Sequence, residues 1–191
     1  MTPIVLIVGM FRAGTSWVWE MLTAHPDAIA LTPRMVYPDH PTRWNTMETG
    51  MFDRLSDDEV RQVIARHTSP GKVLIEKTPH HVNSLPHVWE LFPLTRVIAM
   101  ERDHKEVRAS SFKRWGTRPA DLNPVIADRQ RAIDRIRDDP RVVVVDYNGL
   151  RKHLRPTLEA MCQHVGLNPS GAETILSEPR IAYLSEGSAA A

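Results

Sequence analysis

Four short runs of β-branched and other apolar residues constrain the fold of this chain more than any other feature of its sequence. The runs occupy 4–8, 72–76, 96–100 and 141–145. Apolar runs of this length without alternation are typical of strands that are buried on both faces of a parallel sheet. Segments with helical spacing of apolar residues separate the runs, so the pattern predicts an α/β fold. Helices on both faces of a central parallel sheet would give a three-layer sandwich.

Length and composition place the chain among globular domains. It has 191 residues, of which 42% are hydrophobic and 25% charged, and a chain of this size buries enough surface for a core without disulfides. We therefore expect a single domain over 1–191. Twenty-four Lys and Arg against 23 Asp and Glu give a net charge of +1, which argues against nucleic acid as a partner. The single cysteine, Cys162, excludes an internal disulfide and a multi-cysteine metal site.

Three segments indicate the cellular location and the parts of the chain without regular secondary structure. The apolar segment 3–9 is too short to span a bilayer, and no Lys or Arg precedes it as in a signal peptide. We therefore expect a soluble, cytoplasmic protein with no membrane partner. The stretch 32–55 has three prolines, several aromatic residues and no clear period, which indicates a lid or binding loop. The C-terminal tail, 186–191, is expected to be disordered.

The loop that follows the first run is the most informative segment for function. Gly9, four residues, Gly14 and then the hydroxyl pair Thr15 and Ser16 have the spacing of a phosphate-binding loop between a strand and a helix. Its backbone N–H groups would face one concavity, where the helix dipole adds positive charge. The lysine that kinases and nucleotide hydrolases carry after the second glycine is missing, which disfavours those classes. Arg12 supplies a cation instead, although these residues alone fit an ordinary turn equally well.

Five spaced elements occur in a fixed order along residues 4–167. They are 11–17, 21–26, 76–81, 101–103 with Ser110, and 145–150. Together they resemble elements of P-loop-like sulfotransferases that use 3′-phosphoadenosine 5′-phosphosulfate (PAPS), in particular the small bacterial members. The first element is similar to that family's 5′-phosphosulfate loop, and the fourth is similar to its 3′-phosphate motif. The fifth departs from the family's turn, because Asn148 and Gly149 replace an acidic pair.

The resemblance implies a donor site with assigned residues. PAPS would be the donor, 3′-phosphoadenosine 5′-phosphate (PAP) the product, and no metal ion is expected. The loop would stabilise charge on the bridging oxygen of the leaving nucleotide, while Arg102 and Ser110 would bind the 3′-phosphate, which ATP lacks. Arg102 could instead form an ion pair with Asp103 at the end of a strand. The residues assigned to the donor are Arg12, Ala13, Gly14, Thr15, Ser16, Trp17, Arg102, Ser110 and Tyr147.

The resemblance also suggests the catalytic groups. Cytosolic members of the family carry a histidine just after a Lys-Thr pair, so His80 is the first candidate for the general base, followed by His81 and Glu76. Lys77 would stabilise the transferring sulfonate, and Arg12 the leaving group. A histidine pair on a solvated helix face is the alternative interpretation. Reserve candidates in the stretch 32–55 are Asp39, His40 and Glu48.

Two departures from the family pattern concern other parts of the site. Thr32, Pro33 and Arg34 stand where the protein-tyrosine branch carries a catalytic glutamate. An Arg-Lys-Gly element that closes over the 3′-phosphate in many relatives is missing after Leu167. Two basic residues beyond Ser110 could compensate for it, namely Lys113 and Arg114.

The predicted function is metal-free, in-line transfer of a sulfuryl group from PAPS to a hydroxyl or amine. The acceptor would be a small molecule or a peptide held beneath the stretch 32–55. Tyr37, Trp44 and Phe52 in that stretch suit a ring-bearing acceptor, and they equally suit core packing. Two alternatives stay open: an ATP-dependent small-molecule kinase on the same loop, and a non-catalytic nucleotide-binding relative. The sequence does not indicate an oligomeric state.

Overall fold

The computed structural model describes residues 4–40, 42, 48–116 and 118–177. Within this part of the chain the strands are β1 (Ile4–Gly9), β2 (Ala28–Ala30), β3 (Val73–Lys77), β4 (Arg96–Glu101) and β5 (Val142–Asp146). They form one parallel sheet in the order β2-β3-β1-β4-β5. The predicted α/β fold with a central parallel sheet is confirmed, and the four apolar runs are four of its strands. The remaining strand, β2, was missed because three residues are too few to form a recognisable run.

Helices cover both faces of this sheet. They are α1 (Thr15–Thr23), α2 (Pro33–Val36), α3 (Met51–Arg54), α4 (Asp57–His67), α5 (Leu85–Leu91), α6 (His104–Trp115), α7 (Pro119–Ile136), α8 (Tyr147–Lys152), α9 (Leu154–Val165) and α10 (Gly171–Ser177). A 3₁₀ helix, Pro79–Asn83, follows β3.

The apolar core is divided by the sheet into two clusters. Val5 and Ile7 of β1 belong to the cluster that contains the buried residues of α1 and α9. Leu6 and Val8 belong to the other cluster, with the buried residues of α4 and α5. Both faces of the strand are therefore buried, which explains why its sequence lacks alternation.

The register of the central strands brings three segments to one end of the sheet. Ile7 of β1 pairs with Lys77 of β3, and Gly9 pairs with Met100 of β4. The loop after β1, the 3₁₀ helix after β3 and the residues after β4 therefore leave the sheet side by side. Open parallel sheets bind their ligands at this carboxyl end.

The stretch 32–55 contributes to the core. Tyr37 and Phe52 are buried in the same cluster as α4, so they are packing residues and do not line a ring-binding acceptor site. Trp44 and the tail 186–191 lie outside the described residues. None of the helices in the described ranges is both long enough and apolar enough to cross a membrane.

Candidate functional site

The loop between β1 and α1 has a backbone conformation that restricts its residues. Gly9 has a φ of 120°, and a Cβ atom there would lie 2.4 Å from the carbonyl oxygen of Met100. Gly14 has a φ of 88°, and a Cβ atom there would lie 2.7 Å from the ring of Tyr147. Arg12 has a φ of 61° although it is not glycine. Such strained residues concentrate at ligand sites, so this geometry favours an anion-binding loop over an ordinary turn.

The amide groups of the loop divide into two sets. The Ala13 amide donates to the carbonyl oxygen of Met10 at 3.3 Å and so closes the turn. Contrary to the sequence prediction, this amide does not face a ligand. Helix α1 begins after Gly14, and no side-chain hydrogen bond caps its N-terminus. The first amides of a helix have no partner inside the helix. Thr15 and Ser16 therefore present their N–H groups where the helix dipole favours an anion.

Two arginines and a serine that are far apart in sequence meet beside this loop. The Arg12 Nε atom donates to Ser110 Oγ at 3.1 Å, and Arg102 Nη1 donates to the carbonyl oxygen of Arg12 at 3.0 Å. Arg102 Nε also donates to Glu106 Oε2 at 2.9 Å, and this hydrogen bond lowers the pKa of Glu106. The ion pair with Asp103, which was the alternative to a phosphate-binding role, is not formed, and Arg102 pairs with Glu106. Asp103 instead caps α6 by accepting from two backbone amides.

Aromatic rings form one wall of the site. The guanidinium carbon of Arg102 lies 4.1 Å from the centroid of the Tyr147 ring. Trp17 meets the same ring edge to face, with 6.1 Å between centroids. Phe11 and Trp115 form a second pair, also 6.1 Å apart. Sequence reasoning missed Trp115, because a single exposed tryptophan at the end of a helix carries no motif.

A cavity of about 380 Å³ connects these groups. Seven of the nine residues predicted to bind the donor line it, and Ala13 and Ser110 do not. Three further charged residues line the cavity, namely Glu20, Glu48 and Arg151. Of these, the sequence analysis named only Glu48, as a reserve catalytic candidate. The lining residues are Phe11, Arg12, Gly14, Thr15, Ser16, Trp17, Glu20, Glu48, Pro79, Arg102, Trp115, Tyr147 and Arg151.

Lys77 reaches the loop from the neighbouring strand. Its side chain is 2% exposed, and its Nζ atom donates to Ser16 Oγ at 3.3 Å and lies 3.5 Å from Glu48 Oε1. Burial lowers the pKa of Lys77, and the Glu48 carboxylate opposes this change. The chain thus lacks the lysine of nucleotide-hydrolase loops, yet a lysine from β3 stands beside the same hydroxyl pair.

Glu76 does not occupy the position that its predicted catalytic role requires. It is fully buried and accepts hydrogen bonds from the hydroxyl groups of Thr49 and Thr78 and from Nδ1 of His81. Burial alone would raise the pKa of Glu76, but His81 and the two hydroxyl groups lower it below its ordinary value. Its neighbour Lys77 points to the opposite face of the sheet. Glu76 is therefore a buried structural carboxylate without access to an acceptor.

The histidine pair that follows β3 is also held by carboxylates. His80 Nε2 lies 2.9 Å from Asp53 Oδ2, and burial together with the His81 charge lowers the pKa of His80. His81 is fully buried between Glu76 and Asp53. Burial opposes its charge, but these two carboxylates raise the pKa of His81 to about 9. His81 is therefore charged at neutral pH and unsuited to be a base, whereas His80 keeps a neutral ring that faces Asp53.

The other candidates lie away from the cavity wall. Asp39 and His40 are exposed, as are Lys113 and Arg114 near the end of α6. None of the four is among the residues that line the cavity. Compensation for the missing C-terminal element by Lys113 or Arg114 therefore stays a prediction.

The family comparison and the curated relatives below point to the same family. A model described as "Sulfotransferase family" matches residues 3–170. The chain is 28% identical over 116 residues to protein-tyrosine sulfotransferase 1 of Danio rerio, a match that covers 53% of this chain and 33% of that protein. The matched segment therefore spans about a third of the length of that relative.

Two solved structures show the likeness in three dimensions. The sulfotransferase domain of the Synechococcus PCC 7002 olefin synthase superimposes with a TM-score of 0.67 at 19% identity, over 96% of this chain and 80% of that one. The mouse sulfotransferase SULT7A1, solved in complex with PAP, superimposes with a TM-score of 0.56 at 13% identity, over 98% of this chain and 63% of that one. At these identities the likeness concerns the fold.

Proposed function

This chain belongs to the sulfotransferase family, and on that premise we propose that it transfers a sulfuryl group from PAPS to a hydroxyl or amine of an acceptor. One observation supports the proposal most. A single cavity is lined by Arg12 and Arg102 and also by Ser16 and Glu48. The buried Lys77 side chain does not itself line the cavity, but it contacts both Ser16 and Glu48. A donor with two separate anionic groups requires positive charge at two places in one site.

The donor is held by groups from three strand ends. The amides of Thr15 and Ser16 bind the 5′-phosphosulfate at the uncapped N-terminus of α1. Arg102, with Ser110 close to Arg12, binds the 3′-phosphate by charge-assisted hydrogen bonds. The rings of Trp17 and Tyr147 form the wall for the adenine. PAPS supplies the sulfuryl group and PAP is the nucleotide product.

Lys77 and Arg12 stabilise the leaving group. During in-line displacement the acceptor atom forms a bond to sulfur while the bond from sulfur to the bridging phosphate oxygen breaks. Negative charge develops on that oxygen, and fixed cations in a partly closed cavity lower the barrier. Lys77 is suited to this because its side chain is almost completely buried and its Nζ atom is directed at Ser16.

Glu48 is the general base in this proposal. Its carboxylate lies on the cavity wall beside Lys77, where it can take the proton from an acceptor hydroxyl or amine. His80, the first sequence candidate, does not line the cavity, although its neighbour Pro79 does. The His80 Nε2 atom lies 2.9 Å from Asp53 Oδ2. The relative of Danio rerio is named for protein tyrosine, so a phenol in a peptide is the first acceptor to test. Small phenols and amines are the next.

The experiment that tests this function is calorimetric titration followed by a transfer assay. We expect PAP to bind more tightly than ADP by about tenfold to a hundredfold, because hydrogen bonds to charged groups contribute roughly 1.5–3 kcal/mol. We expect labelled sulfate to pass from PAPS to a member of a panel of tyrosine peptides, phenols and amines. Preference for magnesium-ATP over PAP would contradict the proposal and favour the kinase alternative. PAP binding without transfer to any acceptor would indicate a non-catalytic relative.

A further inference from the structure

A cluster of two histidines and one aspartate lies beside the donor cavity and outside it. Asp53 belongs to α3, and His80 and His81 belong to the 3₁₀ helix after β3. One potential ligand atom from each of the three lies within 4.8 Å of the others. Asp53 Oδ2 is 2.9 Å from His80 Nε2 and 3.4 Å from His81 Nε2. Ligand atoms around a tetrahedral ion with bonds of about 2.1 Å are roughly 3.4 Å apart.

The Nε2 atom of His81 is the decisive member of this cluster. The His81 side chain is 0% exposed, and among the described residues this nitrogen has no hydrogen-bond partner of acceptable geometry. A buried polar atom without a partner costs free energy. The atom faces Asp53 and His80, so a ligand placed between the three residues would satisfy it.

Supporting carboxylate and hydroxyl groups orient the cluster. His81 Nδ1 lies 3.2 Å from Glu76 Oε2, and since a carboxylate only accepts, Nδ1 donates to Glu76. In the metal-free chain the charged ring also carries a proton on Nε2, and a bound metal ion takes the place of that proton. Glu76 is itself held by Thr49 and Thr78. Ser84 Oγ donates to Asp53 Oδ1 at 2.7 Å, which leaves Oδ2 for the two histidines. Metal-binding histidines have this same arrangement, in which a carboxylate fixes one ring nitrogen and the metal takes the other.

We propose that Asp53, His80 and His81 form a three-ligand site for a divalent transition-metal ion, with zinc as the best match. Two imidazoles and one carboxylate are ligands that suit zinc, whereas magnesium and calcium prefer oxygen ligands. His80 is 36% exposed, so the fourth position is open to water. The proposal does not depend on the sulfuryl transfer, because none of the three ligands lines the donor cavity.

The bound ion has a positioning role. It joins α3, near the end of the stretch 32–55, to the 3₁₀ helix that begins at Pro79. Glu48 lies five residues before Asp53, and Pro79 directly precedes His80; both line the cavity. The ion therefore fixes the position of one cavity wall without contact to the donor or the acceptor.

Cobalt titration of the untagged full chain tests this site. After chelation and dialysis, we expect one Co²⁺ ion per chain to produce the visible absorption of a low-symmetry nitrogen and oxygen site, and Zn²⁺ to displace it. Zinc should also raise the midpoint of thermal unfolding, because an ion that binds only the folded state stabilises it. Absence of cobalt uptake by the wild-type chain overturns the proposal and leaves a metal-free ion-pair network.

Variants of the partly exposed ligands provide the specific test. His80→Gln and Asp53→Asn should each weaken cobalt binding by more than about a hundredfold, since loss of a supporting group alone costs about 10- to 100-fold. Circular dichroism shows whether each variant is folded. His87→Gln is the matched control, because His87 lies 2.9 Å from Asp57 and 3.8 Å from Glu90 but belongs to no three-ligand group in the part of the chain that the structure describes. Equal cobalt affinity in the wild type and in folded His80→Gln overturns the proposal.

Discussion

The two sides of the carboxyl end of the sheet are built on different principles. On the β1 and β4 side, Arg12, Arg102 and Ser110 contact each other at the edge of a cavity and keep partly exposed polar groups. On the β3 side, Glu76 and His81 are fully buried in a network with partners from the stretch 32–55. We infer that the first side binds a ligand and that the second holds the wall in place. Substitutions on the two sides should therefore change different measured quantities.

Lys77→Met should produce the largest effect on the transfer rate. Lys77 belongs to β3 but contacts Ser16, which follows β1, so this substitution removes the cation shared by the two sides. We expect the rate of sulfuryl transfer to fall by about 10²–10³, as for loss of one fixed donor at a developing oxyanion. The fold should persist, since methionine fills a similar apolar volume. Lys72→Met is the matched control, because Lys72 pairs with Asp27 at the opposite end of β3. A transfer rate within twofold of wild type in Lys77→Met would contradict the assignment.

Gly14→Ala should affect both donor binding and stability. The new Cβ would meet the Tyr147 ring at 2.7 Å in a left-handed backbone conformation, so we expect a loss of about 2–4 kcal/mol in the free energy of unfolding. Gly71→Ala is the control, since Gly71 has a φ of 73° with nothing within 4 Å of an added Cβ. Its cost should be only about 1 kcal/mol. Denaturant unfolding measures the free energy of unfolding of both variants. Equal losses in the two variants would show that the contact with the Tyr147 ring is unimportant.

Arg102→Ala should act on the nucleotide and hardly on the fold. We expect PAP to bind about tenfold to a hundredfold more weakly, while ADP affinity changes little, because the lost hydrogen bonds are those to the 3′-phosphate. Arg108→Ala is the control, because Arg108 lies in α6, donates to the side chain of Asn123 at 3.1 Å and does not line the donor cavity. Calorimetry with the two nucleotides distinguishes the outcomes. An equal loss of affinity for PAP and for ADP would show that Arg102 contacts a part of the donor that both nucleotides share.

Thr49→Val should show the smallest effect, and on stability alone. It removes the 2.6 Å hydrogen bond to buried Glu76, so we expect a loss of about 1–3 kcal/mol in the free energy of unfolding with unchanged PAP affinity. Thr68→Val is the control, because the exposed Thr68 hydroxyl donates only to a carbonyl of its own helix. A weaker PAP affinity in Thr49→Val would mean that the β3 side also acts on the donor.

The same contrast explains how much could be predicted from the sequence. Strand β1 and its loop are contiguous, so their apolar run and glycine spacing predicted both the fold and the candidate anion site. Arg102 and Ser110 follow a strand and lie in the next helix, which makes their spacing informative. The environment of Glu76 depends on Thr49, 27 residues away in a stretch without periodicity. No local pattern could therefore distinguish a catalytic carboxylate at this position from a buried structural one.

The pairing of Ile7 with Lys77 determines where the Lys77 side chain lies relative to the loop after β1. In loops that carry their own lysine, one stretch of backbone sets both the anion cradle and the cation. Here the two come from different strands, and successive residues of a strand point to opposite faces. Slipping β3 by a single residue against β1 would turn Lys77 away from Ser16 and bring the acidic Glu76 side chain towards it. The position of Lys77 beside the anion loop thus depends on the hydrogen-bond registry between two neighbouring strands, so on the proposed function a misaligned sheet would lose the cation even with every residue present.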